Sequence, residues 1–291
     1  MASEISVPAP VIARVRVPER GIRRDLRAVK VVWQRELIRF SRDRLRVLTA
    51  LLQPALYIFV LGSGLQRLTG GGTHGVNLRT FVYPGALAMA VMFTAVFSAA
   101  SIVWDREFGF LREMLVAPVR RGSIVLGKCL GGATVAVFQG LLVIAFAGLA
   151  GVPYNALMIL TIIGLLLLFA FAITAFGVML AARIAQMQTF MGLVQMLIMP
   201  MFFIAGALFP VSHLPRWLEI LNRIDPLTYA VDPIRHTIFS HLNISAAARH
   251  TLDPGVTWWS WRLPGGVEAL IVALLGLTML FVAILEFKRA D

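Results

Sequence analysis

Six apolar runs dominate this sequence, and each is close to or longer than the roughly 20 residues that a helix needs to cross a bilayer. They cover residues 47–65, 81–103, 124–151, 156–182, 187–209 and 267–287. Only 14% of the 291 residues are charged, whereas a soluble domain of this length carries roughly a quarter. The sequence therefore predicts an all-α membrane protein with six transmembrane helices.

The distribution of basic residues predicts which ends of these helices face the cytoplasm. If the N-terminus is cytoplasmic, 20 of the 27 Lys and Arg residues fall in inner segments, chiefly 1–46 and 104–128. Most of the others lie in the long loop 210–266, where the positive-inside rule is weak. Both termini are thus expected in the cytoplasm. Since arginine far outnumbers lysine, the composition favours a bacterial genome and a multi-pass protein of the plasma (inner) membrane.

The N-terminal region divides into two parts, ahead of the six-span domain 47–291. Residues 1–21 lack periodicity and are predicted to be disordered, whereas 22–46 have the pattern of a basic amphipathic helix. Such a helix suits the anionic inner leaflet, which explains the net charge of +12 without nucleic acid. The alternative is a cytosolic helix packed on the rest of the protein. The apolar face consists of Ile22, Leu26, Val29, Trp33, Leu37 and Phe40.

Ionisable residues are expected outside the span centres, with Glu268 and Glu286 at the two ends of the last span. Ion-driven carriers and intramembrane enzymes need such groups at membrane depth. The energy for transport should therefore come from another protein, although a membrane scaffold or intramembrane enzyme remains an alternative of another class. The single cysteine, Cys129, excludes an internal disulfide, and the histidines lack metal-ligand spacing. We expect no cofactor, no metal and no catalytic residue in this chain.

Mild polar residues and methionine within the spans are candidates for a translocation path. The alternative is that they serve close packing and hydrogen bonding between helices, and this alternative is favoured. The methionine-rich fifth span suits a pliable surface for apolar molecules. The candidate path residues are Thr94, Ser98, Gln139, Gln188, Gln195 and Met199.

A near match to a phosphate-binding loop runs from Gly122 to Cys129. Cys129 stands where magnesium would need Ser or Thr, no strand precedes the segment, and the segment continues into an apolar run. A nucleotide site is therefore excluded. Lys128 is expected to extend toward the lipid headgroups instead.

The charged stretch 104–118 is predicted to form a short cytoplasmic helix between spans two and three. Acidic residues open it, where the helix dipole favours them, and Pro118 ends it. Phe108, Leu111 and Leu115 fall on one face, so an apolar ridge could fill a groove in a partner. The alternative is a solvated linker.

Prolines divide the segment after the fifth run into short pieces, at positions 210, 215, 226 and 233. Irregular backbone at membrane depth is tolerated only inside protein or along a cavity. The region 210–266 is therefore expected to contain short re-entrant helices, with an ordinary extracellular loop as the alternative.

Two stretches resemble the type-2 ABC exporter permeases, which include daunorubicin-resistance-like, lipo-oligosaccharide, O-antigen and teichoic-acid transporters. The first contains Asp105-Arg106-Glu107 and is followed by Lys128; the family usually has Glu where this chain has Asp105. The second contains Phe209-Pro210, Leu214-Pro215-x-Trp217 and Pro226-Leu227-Thr228-Tyr229. With six spans and a basic N-terminal helix, the resemblance covers nearly the whole chain.

The resemblance implies two sets of site residues. The coupling helix, which would contact a cytosolic ATPase pair, has Asp105, Arg106, Glu107, Phe108, Gly109, Leu111, Glu113, Leu115 and Pro118. The exit gate has Phe209, Pro210, Pro215, Trp217, Pro226, Tyr229, Asp232 and Arg235.

The resemblance also implies partners and an activity. ATP and magnesium would bind the ATPase pair, and a second permease chain, identical or a sister, would complete the transporter within the membrane lipids. The activity would be export of a hydrophobic drug or lipid-like compound, which the Leu-, Phe- and Met-rich spans favour. Export of a polysaccharide or lipid-linked glycan is the alternative.

Overall fold

The computed structural model describes residues 21–64, 76–109, 119–209, 215–245, 249, 251–258 and 261–289, and these are mostly helical. The N-terminal half contains α1 (Ile22–Arg42), α2 (Arg44–Ala55), α3 (Leu78–Glu107) and α4 (Arg121–Ile144). The C-terminal half contains α5 (Ala156–Arg183), α6 (Met187–Ile204), α7 (Arg216–Ile224), α8 (Thr228–Ser240) and α9 (Gly265–Arg289). A hairpin of two short strands, β1 (Thr257–Trp258) and β2 (Trp261–Arg262), precedes α9.

Six helical segments in the described residues are long and apolar enough to cross a membrane, as the sequence predicts. They are α3, α4, α5, α6, α9 and Val47–Gly64, in which α2 continues through a π-helical stretch, Leu56–Leu61. The chain is therefore a multi-pass, all-α membrane protein.

Two spans end several residues before the predicted position because the backbone turns before the apolar run stops. The third span ends at Ile144 rather than Gly151, since residues 148–150 form a 3₁₀ turn and Gly151 adopts a φ of 78°. The fifth span ends at Ile204 rather than Phe209, and Gly206 follows with a φ of 69°. The left-handed Gly206 lies directly after the end of α6, where such a glycine typically terminates a helix, whereas Gly151 ends the 3₁₀ turn that follows α4.

The second span, α3, is the centre of the bundle. In the most apolar 18-residue stretch of α3, 83% of the residues are buried inside the chain, compared with 17% in the first span and 22% in α6. It packs on α4, α5 and α8, while α9 packs against α5. Small residues along α3, such as Ala88, Ala95 and Ala99, allow these close approaches. The first and fifth spans consequently leave broad apolar faces uncovered.

The predicted amphipathic segment forms α1, which ends at Arg42 rather than residue 46. One face packs along α4, where an added Cβ on Gly131 would lie 2.7 Å from the Cβ of Glu36. The helix α1 therefore packs on the rest of the protein, as the alternative interpretation of this segment predicts. Ile22, Leu26 and Ile38 remain exposed, so part of the apolar surface of α1 is still uncovered. Apart from Gly21, the segment predicted to be disordered lies outside the described residues.

Candidate functional site

The first part of the predicted coupling helix belongs to α3. Residues 104–107 form its last turn, so no separate helix starts at Trp104. Phe108 follows with 71% of its surface exposed, and Gly109 takes a φ of 81°. Leu111, Glu113, Leu115 and Pro118 lie outside the described residues. We refer to residues 108–120 as the coupling segment.

Asp105 does not face outward, contrary to what its place in an exposed coupling helix implied. Its side chain is 2% exposed, and its Oδ2 accepts a hydrogen bond of 2.9 Å from Lys128 Nζ. Its Oδ1 accepts one of 2.8 Å from Arg35 on α1. The carboxylate therefore joins three helices, α1, α3 and α4, instead of presenting a charge to a partner.

Lys128 does not extend toward lipid headgroups, so that prediction is wrong. The side chain is 3% exposed, and Nζ donates to Glu36 Oε1 at 2.6 Å, to Ser101 Oγ at 2.8 Å and to Asp105 Oδ2. An ammonium group has three hydrogens, and all three are used here. We call Glu36, Ser101, Asp105 and Lys128 the buried ion cluster. The cluster lies at the ends of α3 and α4, so the span centres keep their apolar character.

Three arginines tie the other helix ends near the coupling segment together. Arg106 donates to the carbonyls of Ala182 (2.7 Å) and Ile184 (3.1 Å). These hydrogen bonds cap the C-terminal end of α5. Arg183 makes two hydrogen bonds of 2.6 Å to Glu286 on α9, and Arg121 donates to the last carbonyls of α9. Hydrogen bonds and one ion pair from arginines thus join the helix ends at this end of the bundle.

A cavity of about 340 Å³ opens between the first span, α3 and α6. Its wall is mainly apolar, with Met89, Ala90, Phe93 and Phe97 from α3 and Met191 from α6. The rings of Phe93 and Phe97 stack with their centres 5.9 Å apart. Polar groups are few, and those from the first-span side are Asp43, Thr49 and Gln53.

The six candidate path residues do not come together. Thr94 lines the cavity, whereas Ser98 packs against α4 at Gly132 and donates to the Ala95 carbonyl. Gln139 is fully buried, with neither amide atom hydrogen-bonded within the described part of the chain. Gln188, Gln195 and Met199 lie on the exposed side of α6.

The predicted pair of short helices after the fifth span is present as α7 and α8. Trp217 and Phe209 are exposed, Pro215 precedes α7, Pro226 lies between the helices, and Pro210 lies outside the described residues. The remaining gate candidates, Tyr229, Asp232 and Arg235, are buried on α8. Of the described gate candidates, Trp217 is thus exposed on α7, Tyr229, Asp232 and Arg235 are buried on α8, and Phe209, Pro215 and Pro226 lie outside both helices.

Hydrogen bonds hold α8 to its surroundings. Tyr229 donates to the Arg223 carbonyl at 2.6 Å and accepts from Trp258 Nε1 at 3.2 Å. Arg235 donates to the Gly206 carbonyl at 2.5 Å, and Asp232 accepts from the Val256 amide at 3.2 Å. The turn after the fifth span is therefore fixed against the start of the hairpin.

Two buried aspartates near α8 have raised pKa values. Burial raises the pKa of Asp225 to about 7, although hydrogen bonds from Leu227 N and Thr228 Oγ1 oppose the shift. Burial also raises the pKa of Asp253, and the contact of its Oδ2 with His236 Nδ1 at 2.8 Å opposes this rise. These carboxylates were not singled out in the sequence because their burial depends on how α7, α8 and the hairpin pack.

Sequence reasoning also missed Glu36 and Asn222. Glu36 falls on the predicted polar side of α1, yet only 6% of its surface is exposed. Asn222 donates to the Ile204 carbonyl at 2.7 Å and so ties α7 to the end of the fifth span. The sequence did contain one indication for Lys128. Its ammonium group stands alone among small residues in a long apolar run, and this pattern fits a buried ion pair as well as contact with headgroups.

The six apolar spans define a polytopic membrane protein. Residues 27–239 match the family described as ABC-2 type transporter. That match covers most of the chain, which therefore belongs to the ABC-2 transporter membrane family.

Known proteins with similar sequences agree with this assignment. Nodulation protein J of Rhizobium leguminosarum bv. trifolii is 30% identical over 213 residues, covering 72% of this chain and 80% of that protein. The inner membrane transport permease YadH of Escherichia coli K12 is 27% identical over 216 residues, covering 72% and 82%. The ycf38 protein of Cyanophora paradoxa is 29% identical over 216 residues, covering 72% and 73%.

Proposed function

We propose that this chain is the membrane-spanning subunit of an ATP-driven exporter in the bacterial inner membrane, with both termini in the cytoplasm. Its cargo is a hydrophobic drug or a lipid-like compound. The observation that carries this proposal is the apolar cavity between the first span, α3 and α6 in a member of the ABC-2 transporter family. Ligand pockets of roughly 300–1,000 Å³ with mainly apolar walls suit small molecules of this kind.

ATP hydrolysis takes place on a separate pair of ATPase subunits that bind the coupling segment. The exposed Glu107 and Phe108 support this, since they stand at the rim where that segment begins. An aromatic side chain that is mostly in solvent is the kind of group that anchors a protein interface. The chain itself supplies no catalytic residue.

A second permease chain covers the apolar faces of the first and fifth spans. Leu52 and Val60 on the first span and Met196 and Phe203 on α6 are all more than half exposed. The cavity borders the same two spans, so pairing would enclose it between two subunits. Lipid covers the rest, and α1 lies at the inner leaflet; the exposed Ile22 and Leu26 of α1 support this position.

The helices α7 and α8 form the exit gate as a re-entrant pair in the outer leaflet. Irregular chain at that depth must be buried in protein or line a cavity; side chains of α7 and α8 support this by donating to the carbonyls of Ile204, Gly206 and Arg223. The exposed Trp217 faces the surroundings from α7.

A polysaccharide or lipid-linked glycan is the second candidate cargo. Trp104 lines the cavity beside Gln53 and Asp43, and an aromatic face with amide and carboxylate groups is suited to sugar hydroxyls. The first candidate is preferred because most of the wall is Ala, Met and Phe.

Two measurements test the proposal. Purification of the tagged chain from its native host should bring down an ATPase subunit; a chain that is stable without such a partner contradicts the exporter assignment. In proteoliposomes containing the complex, ATP should drive the movement of a hydrophobic dye, the lipophilic cation rhodamine 6G. Ala90→Trp, which fills the cavity, should slow this movement while ATPase binding persists. An unchanged rate of dye movement in that variant would show that the cargo does not bind in this cavity.

A further inference from the structure

We propose that Lys128 is a positioning residue that locks α1 and both flanks of the coupling segment into one mechanical unit, so that force from the ATPase reaches the cavity through α1. The inference rests on the proposed function, because it assigns the route by which an ATPase bound to the coupling segment acts on the membrane spans.

The buried ion cluster links the two flanks directly. Asp105 lies three residues before the coupling segment and Lys128 eight residues after it, and their charged groups are 2.9 Å apart. Movement of one flank therefore pulls on the other. Arg120, the last residue of the segment, also contacts Asp25 of α1, with a distance of 3.3 Å between Nε and Oδ2.

The same ammonium attaches α1. Its hydrogen bond of 2.6 Å to Glu36 crosses from α4 to α1, and Gly127 and Gly131 let the two helices approach. An added Cβ on Gly127 would come within 2.8 Å of the Cβ of Val32. Since the backbones are already in close contact, the ion cluster has little room to stretch.

Charge balance makes the link specific to a cation at position 128. Glu36 and Asp105 are two buried carboxylates, opposed by the buried Lys128 and, at Asp105, by the partly exposed Arg35 and Arg39. Loss of the ammonium leaves both carboxylates without their shared buried partner, and burial of an unpaired charge is strongly unfavourable. A neutral side chain could fill the space but could not hold both carboxylates together.

The route ends at the cavity. The last residue of α1 is Arg42 and α2 begins at Arg44, so the two helices are separated by a single residue, Asp43. Asp43 lines the cavity, as do Thr49 and Gln53 of α2. A rotation or shift of α1 is thus transmitted to one wall of the cavity without passing through the core of α3.

The test compares three variants of the chain in complex with its ATPase. Lys128→Met removes the link and leaves two carboxylates buried. The triple variant Glu36→Gln, Asp105→Asn, Lys128→Met also removes the link but leaves no buried carboxylate or ammonium unpaired, so it remains informative if Lys128→Met does not fold. Arg35 and Arg39 lose their carboxylate partner in this variant, but both side chains are partly exposed to solvent. Lys288→Met, which removes an exposed ammonium at the end of α9, is the matched control.

Two quantities are measured. The first is the ATP hydrolysis rate of the complex relative to the amount of co-purified ATPase. The second is the yield of a short bis-maleimide crosslink between Trp33→Cys and Thr134→Cys, in a Cys129→Ser background, before and after addition of ATP and vanadate. Trp33 Nε1 and Thr134 Oγ1 are 3.1 Å apart, so the crosslink reports whether α1 stays on α4.

We expect ATP hydrolysis to fall roughly fivefold or more in the triple variant, with ATPase co-purification unchanged. We also expect its crosslink yield to fall on addition of ATP and vanadate, whereas the yield in the parent chain stays constant. A triple variant with the hydrolysis rate and constant crosslink of the parent overturns the role of Lys128. If the parent chain co-purifies with no ATPase, the proposed function itself fails.

Discussion

The guanidinium carbon of Arg235 lies 4.6 Å from the centre of the Phe81 ring, although Arg235 is buried in a protein interior. Burial lowers its pKa from the ordinary value, and nearby Asp232 and Asp253 oppose that effect. No side-chain ion pair reaches Arg235 within the described residues. The aromatic face and the Gly206 carbonyl therefore provide its direct stabilising contacts, which join α8 to α3.

A double-mutant cycle should detect this contact. We expect Arg235→Met and Phe81→Leu to show a coupling of about 1–2 kcal/mol, because a desolvated cation gains more from an aromatic ring than an exposed one does. Denaturant titration of the purified chain in detergent measures it. The pair Arg216→Met and Phe81→Leu is the control, since Arg216 is exposed on α7. Equal coupling in the two cycles would contradict the stacking role.

Gly131→Ala should destabilise the chain by about 1–3 kcal/mol, since the added methyl overlaps Glu36 across the contact between α1 and α4. Gly164→Ala is the matched control, because a Cβ there meets nothing within 4 Å inside the chain. Thermal unfolding midpoints and the rate of proteolysis within α1 measure the difference. Similar behaviour of the two variants would show that α1 and α4 are not in close contact.

Stability should fall as pH rises toward 7, partly through Asp225. The folded chain holds the Asp225 proton up to about pH 7, whereas the unfolded chain releases it near pH 4. The contribution is thus fully present below pH 4 and decreases toward pH 7, by roughly 4 kcal/mol at most, since each unit of pKa corresponds to about 1.4 kcal/mol.

Asp225→Asn removes that titration. The apparent unfolding midpoint of the variant should change less between pH 5 and 8 than that of the parent chain, on the order of a few degrees. If both proteins respond to pH identically, the proton resides on another group.

Phe108→Ala should weaken ATPase binding roughly tenfold, because an exposed aromatic anchor at an interface contributes on the order of 1–2 kcal/mol. Glu107→Lys should reduce binding as well, and membrane insertion should be retained in both. Surface-immobilised ATPase and detergent-purified chain give the dissociation constants. Trp217→Ala, an exposed aromatic change on α7, should leave them unaltered. An unchanged constant for Phe108→Ala would place the ATPase contact elsewhere.

Hydropathy alone predicted the six spans, because a bilayer requires long apolar helices whose backbone hydrogen bonds are satisfied internally. The prolines were a less reliable guide to the segment after the fifth span: Pro215 and Pro226 flank α7 as breaks in the chain, but Pro233 lies inside α8 and does not divide it. The predictions of span ends were less accurate at Ile144, which is followed by a 3₁₀ turn, and at Ile204, which is followed by the left-handed Gly206; both helices stop inside apolar sequence.

Sequence by itself determined the class of protein, the number of spans and the amphipathic pattern of α1. Only the tertiary structure decided which charged side chains are buried and which of them contact one another. Glu36, Asp105 and Lys128 are separated by 92 positions along the chain, and each alone is typical of an exposed residue. They become a buried cluster because α1 crosses α4 at two glycines beside the end of α3, a juxtaposition that no local pattern encodes.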